Sequence, residues 1–222
     1  MNVVSIILAR GGSKAIPKKN IMDFCGTPLI GWTIDCCLKS KYVTKTYVTT
    51  DDQKIIDVAS SYDVEIIKRP DDISGDTADA ESAVLHALTQ IDMDIDYIIM
   101  PQVTSPLRTF NDIDNAMEQI LKDDGDSLFS MCLLNDYCIW NDNMESVTYN
   151  YKNRGRRQDR SPHYLENGSL YIFKPDVIKN NNNRLGGKIS MYQMPFWKSY
   201  EIDEMDDIDI CKHYMEKEII HE

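Results

Sequence analysis

Short apolar runs rich in β-branched residues alternate along this chain with segments whose apolar positions recur every three or four residues. The runs at 3–9, 45–50, 63–70, 96–103, 127–134, 168–174 and 188–195 predict strands. The periodic segments at 28–40, 52–62, 78–91, 110–124 and 205–220 predict helices. Val84, Leu85, Leu88 and Ile91 fall on one helical face, as do Ile113, Met117, Ile120 and Leu121. The early strands are continuous apolar runs rather than alternations, as expected when both faces of a sheet are covered. Strands alternating with helices build right-handed βαβ units. The chain therefore predicts a single α/β domain over residues 1–222, with a parallel sheet flanked by helices.

The pattern fails over residues 135–165, where Asn, Asp, Tyr and Arg replace the apolar positions. A structureless loop of that length is unusual inside a compact domain. The segment predicts a protrusion that is either a lid or a dimerisation contact. Asn180–Asn183 reads as a surface turn.

Charge narrows the partners. With 24 Lys and Arg against 36 Asp and Glu, the net charge is -12. That argues against non-specific binding to nucleic acid or to anionic membranes, which needs a basic excess. It leaves anionic small molecules open, because one site can be locally basic. Residues 3–9 are too short to span a bilayer and follow no basic tract. The six cysteines, Cys25, Cys36, Cys37, Cys132, Cys138 and Cys211, lack metal-ligand spacing and read as thiols in a reducing cytoplasm. His86 and His213 sit in helical patterns without H-E-x-x-H, and Ser13 and Ser105 have no visible His–acid partner. Zinc and triad chemistry therefore have no basis.

Four segments carry candidate chemistry. In LARGGSKAIPKKN (8–20), Gly11 and Gly12 allow a tight turn directly after the first strand. Backbone N–H groups of such a turn can cradle an anion. Arg10, Lys14, Lys18 and Lys19 surround it with positive charge, and Ser13 adds a hydroxyl. Neither G-x-x-x-x-G-K-[ST] nor G-x-G-x-x-G is present. In PQVTSPLRT (101–109), Gln102 stands at a strand end, where it can donate and accept hydrogen bonds toward a sugar hydroxyl or carboxylate. Thr109 and Asp112 also read there as a helix-capping pair. NRGRRQDRSP (153–162) gathers Arg154, Arg156, Arg157 and Arg160, whose forks suit carboxylates and phosphates. For Arg154 and Arg160, ion pairing with neighbouring acids is an equal alternative. In YEIDEMDD (200–207), Glu201 and Asp203 would share one face of a strand and could hold one divalent ion, while the same acids would also suit a helix N-terminus.

Taken together, these segments resemble the motifs of the CMP-sialic acid synthetase family of cytidylyltransferases. The likeness continues through KRPDDISGDTA (68–78), RRQD (156–159), ENGSLYIF (166–173) and EID (201–203), in family order and over nearly the whole chain. The resemblance implies a Rossmann-like α/β nucleotidyltransferase fold, with a mostly parallel mixed sheet flanked by helices and a protruding dimerisation segment. It implies transfer of CMP from CTP to the anomeric hydroxyl of a 2-keto sugar acid, with release of pyrophosphate, Mg²⁺ as cofactor and a homodimer as the working form. Arg10, Gly11, Gly12, Ser13, Lys19, Asn20, Arg69 and Thr77 would bind nucleotide. Gln102, Thr104, Arg156 and Gln158 would bind the sugar acid. Lys19, Arg156, Arg157 and Asp203 would be catalytic, with Asp203 and Glu201 on the metal. Glu201 departs from the family's aspartate at its place, and Ala78 and Ala80 stand where serines are usual, with Thr77 available to compensate. A nucleotidyltransferase for another acceptor and a catalytically silent nucleotide-binding protein are the alternatives.

Overall fold

The computed structural model describes residues 1–13, 15–75, 78–134 and 137–220. Its elements in chain order are β1 (Val3–Leu8), β2 (Asp23–Phe24), β3 (Thr27–Pro28), α1 (Leu29–Lys39), β4 (Lys45–Thr50), α2 (Gln53–Ala59), β5 (Glu65–Lys68), α3 (Ala80–Gln90) and β6 (Tyr97–Pro101). There follow α4 (Phe110–Asp123), β7 (Ser127–Leu133), β8 (Tyr164–Phe173), α5 (Pro175–Asn181), β9 (Ile189–Met194) and α6 (Met205–Glu218). Seven strands form one sheet in the order β5-β4-β1-β6-β8-β7-β9. All neighbouring pairs are parallel except those made by β8, which runs against both β6 and β7.

β1 shows why the early strands lack alternation. Val3, Ile7 and Ala9 face one core and Val4 and Ile6 face the other, all fully buried. The first core is closed by α1, α2, α4 and α6, through Ile34, Ile55, Met117 and Met215. The second is closed by α3 and α5, through Val84, Ala87, Val177 and Ile178. Leu121, expected on the buried face of α4, is 39% exposed. The face that packs is Ile113, Ala116, Met117 and Ile120, and residue 121 is turned about 100° past Ile120. The Thr109–Asp112 capping box starts α4 where the sequence places it.

Three elements escape periodicity. The β2–β3 hairpin is too short to show a pattern. α5 has seven residues, begins with Pro175 and stops at left-handed Asn182, so Asn180 and Asn181 of the expected turn close the helix instead, and only Asn182 and Asn183 turn. β8 starts at Tyr164 rather than 168, because its first residues pair with Met131–Leu133 on the far side of a register shift.

The antiparallel sense of β8 decides where the excursion goes. β7 ends, and β8 begins, at the carboxyl edge of the parallel strands, so residues 137–163 project from that edge. They contain two single 3₁₀ turns and one isolated bridge, Trp140 to Ser146. Aromatic contacts replace a core: Trp140 lies 5.9 Å from Tyr149 and 5.3 Å from Tyr151, and Tyr137 stacks on Phe196 at 5.7 Å. The six cysteines are free thiols. Burial pushes the Cys36 thiol up to about 12, away from nucleophilic use. Among the described residues, no helix is long and apolar enough to cross a membrane.

Candidate active site

Parallel sheets present ligands at the carboxyl ends of their strands. Here a cleft of about 420 Å³ opens at the ends of β1 and β6, lined by Arg10, Gly12, Ser13, Lys19, Asn20, Gln102, Thr104 and Asp203 among others.

The first wall is the turn after β1. Its two glycines serve different ends. The Gly11 N–H donates to Asp51 Oδ1 at 2.9 Å, and a Cβ on Gly11 would lie 2.6 Å from Asp52 Oδ2. Asp52 is fixed in turn as the N-cap of α2, accepting from Lys54 N at 2.6 Å. Gly11 is thus glycine because the turn packs closely on that cap, and its amide is already occupied. Gly11 is absent from the cleft lining, so its amide supports the turn rather than facing the cleft. Gly12 has open space around it and lines the cleft. Arg10 Nη1 donates to Gly75 O at 3.1 Å, and Asn20 Nδ2 donates to Arg10 O at 2.9 Å, which braces the turn from within. Lys18 takes a left-handed conformation (φ 57°) that starts the 3₁₀ turn carrying Lys19 into the cleft. Lys14 and Thr77 lie outside the described residues.

The second and third walls are locked together. Ile202 N–H donates to Thr104 O at 2.7 Å, joining the loop after β6 to the segment before α6. Residues 200–203 do not form the expected strand, and Asp203 lies in a bend. Ile202 is fully buried between Glu201 and Asp203, and the two carboxyls lie near enough for the charge of Asp203 to act on Glu201. The other acids cap α6: Asp207 Oδ2 accepts from the backbone N–H groups of Asp203 and Glu204 at 2.9 and 2.7 Å. The helix N-terminus reading of this acidic stretch therefore holds for Glu204 and Asp207.

Lys19 crosses the cleft to this wall. Its Nζ lies 2.9 Å from Asp203 Oδ1 and 3.0 Å from Ile202 O. Glu201 sits deeper, accepting from Thr104 Oγ1 at 3.2 Å and resting against Gly168. Burial pushes the Glu201 carboxyl above its ordinary range, and the negative charge of Asp203 adds to the push. A cation between the two carboxylates would relieve that repulsion. Mg²⁺ usually takes one or two carboxylates and completes its shell from phosphate and water, so this donor pair fits it. Among the described residues no cluster of three or more His, Cys, Asp or Glu could hold a metal unaided.

Arg69 is 6% exposed and does not line the cleft. Its Nη2 donates to Thr49 O at 2.9 Å. Burial draws its guanidinium below the ordinary value, with Asp51 opposing and Arg10 adding to the shift. It stands as a fixed charge behind the turn. The other predicted arginines lie elsewhere. Arg156 forks onto Asp159 at 2.8 and 3.2 Å and lines a separate hollow of about 840 Å³ within the excursion. Arg157 and Gln158 line another, of about 290 Å³, with Leu133 and His163. The strand order explains the separation: β7 is three places from β1, about 14 Å at the usual strand spacing. Arg154 and Arg160 hold the excursion itself, each 5.7 Å over the Tyr149 ring and each directed at Cys138 Sγ.

Sequence reasoning missed Asp51, Asp52, Gly168 and Arg108. The pair Asp51–Asp52 directly after a buried strand was the available signal for two of them. Arg108 lay inside a motif whose attention went to Gln102.

Comparison with known proteins follows the same lines. A family model described as Cytidylyltransferase matches residues 4–209. N-acylneuraminate cytidylyltransferase A of Danio rerio is 34% identical over 215 residues, covering 94% of this chain and 49% of that protein. The chain thus spans about half the length of that relative, 49%. Pseudaminic acid cytidylyltransferase of Campylobacter jejuni is 29% identical, covering 96% of this chain and 95% of that one. Among solved structures, CMP:2-keto-3-deoxy-manno-octonic acid synthetase complexed with CTP superposes with a TM-score of 0.76 at 14% identity, over 99% of this chain and 100% of that one. The 4-diphosphocytidyl-2C-methyl-D-erythritol synthase of Anaerococcus prevotii gives 0.68 at 15% identity, over 97% and 98%. At such identities the likeness is one of fold.

Proposed function

This chain belongs to the cytidylyltransferase family, and we propose that it transfers CMP from CTP to the anomeric hydroxyl of a sialic-acid-like 2-keto sugar acid, releasing pyrophosphate. One observation carries the reading. A cation from the β1 turn, Lys19, meets a carboxylate before α6, Asp203, across a cleft whose third side presents Gln102 and Thr104. That arrangement supports a reading in which phosphate, metal and acceptor meet in one volume.

In the reaction the anomeric oxygen bonds to the α-phosphorus, the bond from that phosphorus to the pyrophosphate oxygen breaks, and the hydroxyl proton passes to solvent water. Such transfer depends on positioning and on charge neutralisation. Arg10, Gly12, Ser13 and Lys19 hold the triphosphate, with Asn20 bracing the turn and Arg69 adding field from behind. Lys19 exchanges its contact with Asp203 for the phosphates. Asp203 and Glu201 would hold Mg²⁺, which when bound would add positive charge beside the phosphates. Gln102 and Thr104 orient the sugar acid. The excursion acts between the copies of a homodimer, where Arg156, Arg157 and Gln158 reach the acceptor carboxylate in the partner's cleft. The 43% exposure of Trp140 and 79% of Met144 suit such a contact. The whole operates as one domain in the cytoplasm, where its thiols stay reduced.

Incubation with Mg²⁺, each nucleoside triphosphate and a panel of 2-keto sugar acids, pseudaminic acid included, should release pyrophosphate with CTP alone. No release with any sugar acid would sink the proposal, and release with a sugar phosphate would move it to another acceptor. Arg10→Ala should weaken CTP binding by about tenfold, the order of one charge-assisted hydrogen bond. Calorimetric titration showing unchanged affinity would remove Arg10 from the phosphate site. The pair Arg156→Ala and Arg157→Ala should raise the KM for the sugar acid and leave the CTP dissociation constant alone. Equal loss for both ligands would deny the excursion an acceptor role.

A further inference from the structure

We propose that Arg108 is a positioning residue for the acceptor half of the site, clamping the backbone of Gln102 so that its side chain stays aimed at the substrate. The inference rests on the cytidylyltransferase reading above.

Arg108 is 2% exposed. Its Nη1 donates to Ser169 O at 2.6 Å and to Gln102 O at 3.3 Å. Ser169 O also accepts from Gln102 N–H at 3.1 Å. The result is a closed ring: both backbone groups of Gln102 are bound, one directly by Arg108 and one through the carbonyl that Arg108 holds. Nη2 extends the clamp to α1, donating to Thr33 Oγ1 at 3.1 Å. Among the described residues, the Gln102 side-chain amide makes no hydrogen bond to protein, while Gln102 lines the cleft. A fixed backbone under an uncommitted amide is the arrangement expected of a preorganised contact.

The clamp is an expensive one. Among the described residues no carboxylate lies within ion-pair range of Arg108, and its Nε is buried without a partner. A buried cation held only by carbonyls and hydroxyls is usually less stable than an apolar side chain of similar volume. Such an arrangement is retained where the fork does something a packed methionine would not. Acceptors on three residues, Gln102, Ser169 and Thr33, require several donors in one plane, which guanidinium has and ammonium lacks.

Arg108→Lys keeps the charge and loses the fork. In steady-state assays it should raise the KM for the sugar acid about tenfold, with kcat and the CTP dissociation constant within about twofold of wild type. A purely structural arginine would lower the melting temperature and weaken both substrates together. A sugar-acid KM within about twofold of wild type, or a CTP dissociation constant that rises as far as that KM, overturns the proposal. Should Arg108→Lys not fold, Thr33→Val removes one acceptor at nearly constant shape and is read the same way, with a KM rise of about threefold expected and no rise overturning the idea. Wild-type protein assayed alongside separates the two claims: if it releases no pyrophosphate, the assigned reaction fails, and if it does while the variants match it, only the clamp fails.

Discussion

Asp203→Asn is expected to lower turnover on the order of 10²-fold or more, with little change in stability. The side chain is 66% exposed and belongs to no core cluster, so its removal leaves packing alone. Its two contacts are both functional in the proposed reaction. One is Lys19 Nζ at 2.9 Å, and the other is the shared field with Glu201. Asparagine keeps the shape and removes the charge. The pair of acids then offers a metal one carboxylate instead of two, and the Mg²⁺ concentration for half-maximal rate should rise. Lys19 would also lose its resting partner, so CTP binding should weaken less than turnover falls. Initial rates over a Mg²⁺ series, read beside thermal unfolding, test this. An unchanged Mg²⁺ dependence would take Asp203 out of the metal site.

Gly168→Ala should damage both stability and activity, through one methyl group. Gly168 has φ +65°, a conformation that costs a non-glycine residue about 1–2 kcal/mol. An added Cβ would also overlap Glu201 Oε1. Glu201 cannot easily retreat, since Thr104 Oγ1 holds its other oxygen at 3.2 Å. The combined cost should be about 2–3 kcal/mol, or roughly 4–12 °C in melting temperature for a chain of this size. Displacement of Glu201 should lower kcat/KM about tenfold beyond what unfolding explains. In the double variant Gly168→Ala with Glu201→Asp, the shorter carboxylate clears the methyl. Activity should then exceed that of Gly168→Ala alone, while the backbone cost remains. Equal activity in the two would show that the overlap does not matter.

Legibility in the sequence followed the range of the interaction. The parallel strands were readable because an apolar run reports burial on both faces, and burial is recorded residue by residue. α4 was readable to its first residue because Thr109 and Asp112 cap it within three positions. The basic turn was readable for the same reason, since Arg10, Gly12 and Lys19 lie within ten residues of one another. The acids were half readable: Glu201 and Asp203 do flank a buried residue, but only the fold shows Asp207 taking the capping role.

By itself, then, the sequence determined the types of the longer elements, the two-sided burial of the sheet and the cluster of charge after β1, because each depends on neighbours a few residues apart. The tertiary structure decided the direction of β8, and with it the edge from which the excursion leaves. It decided that Asp51, 40 residues away, occupies the Gly11 amide, and that Arg108 meets Ser169 across 61 residues. It also decided that Arg156 and Arg157 stand apart from Lys19 within one chain. Those outcomes depend on strand order and on which groups close packing brings together, and no local pattern records a contact whose partner is set by the path of the whole chain.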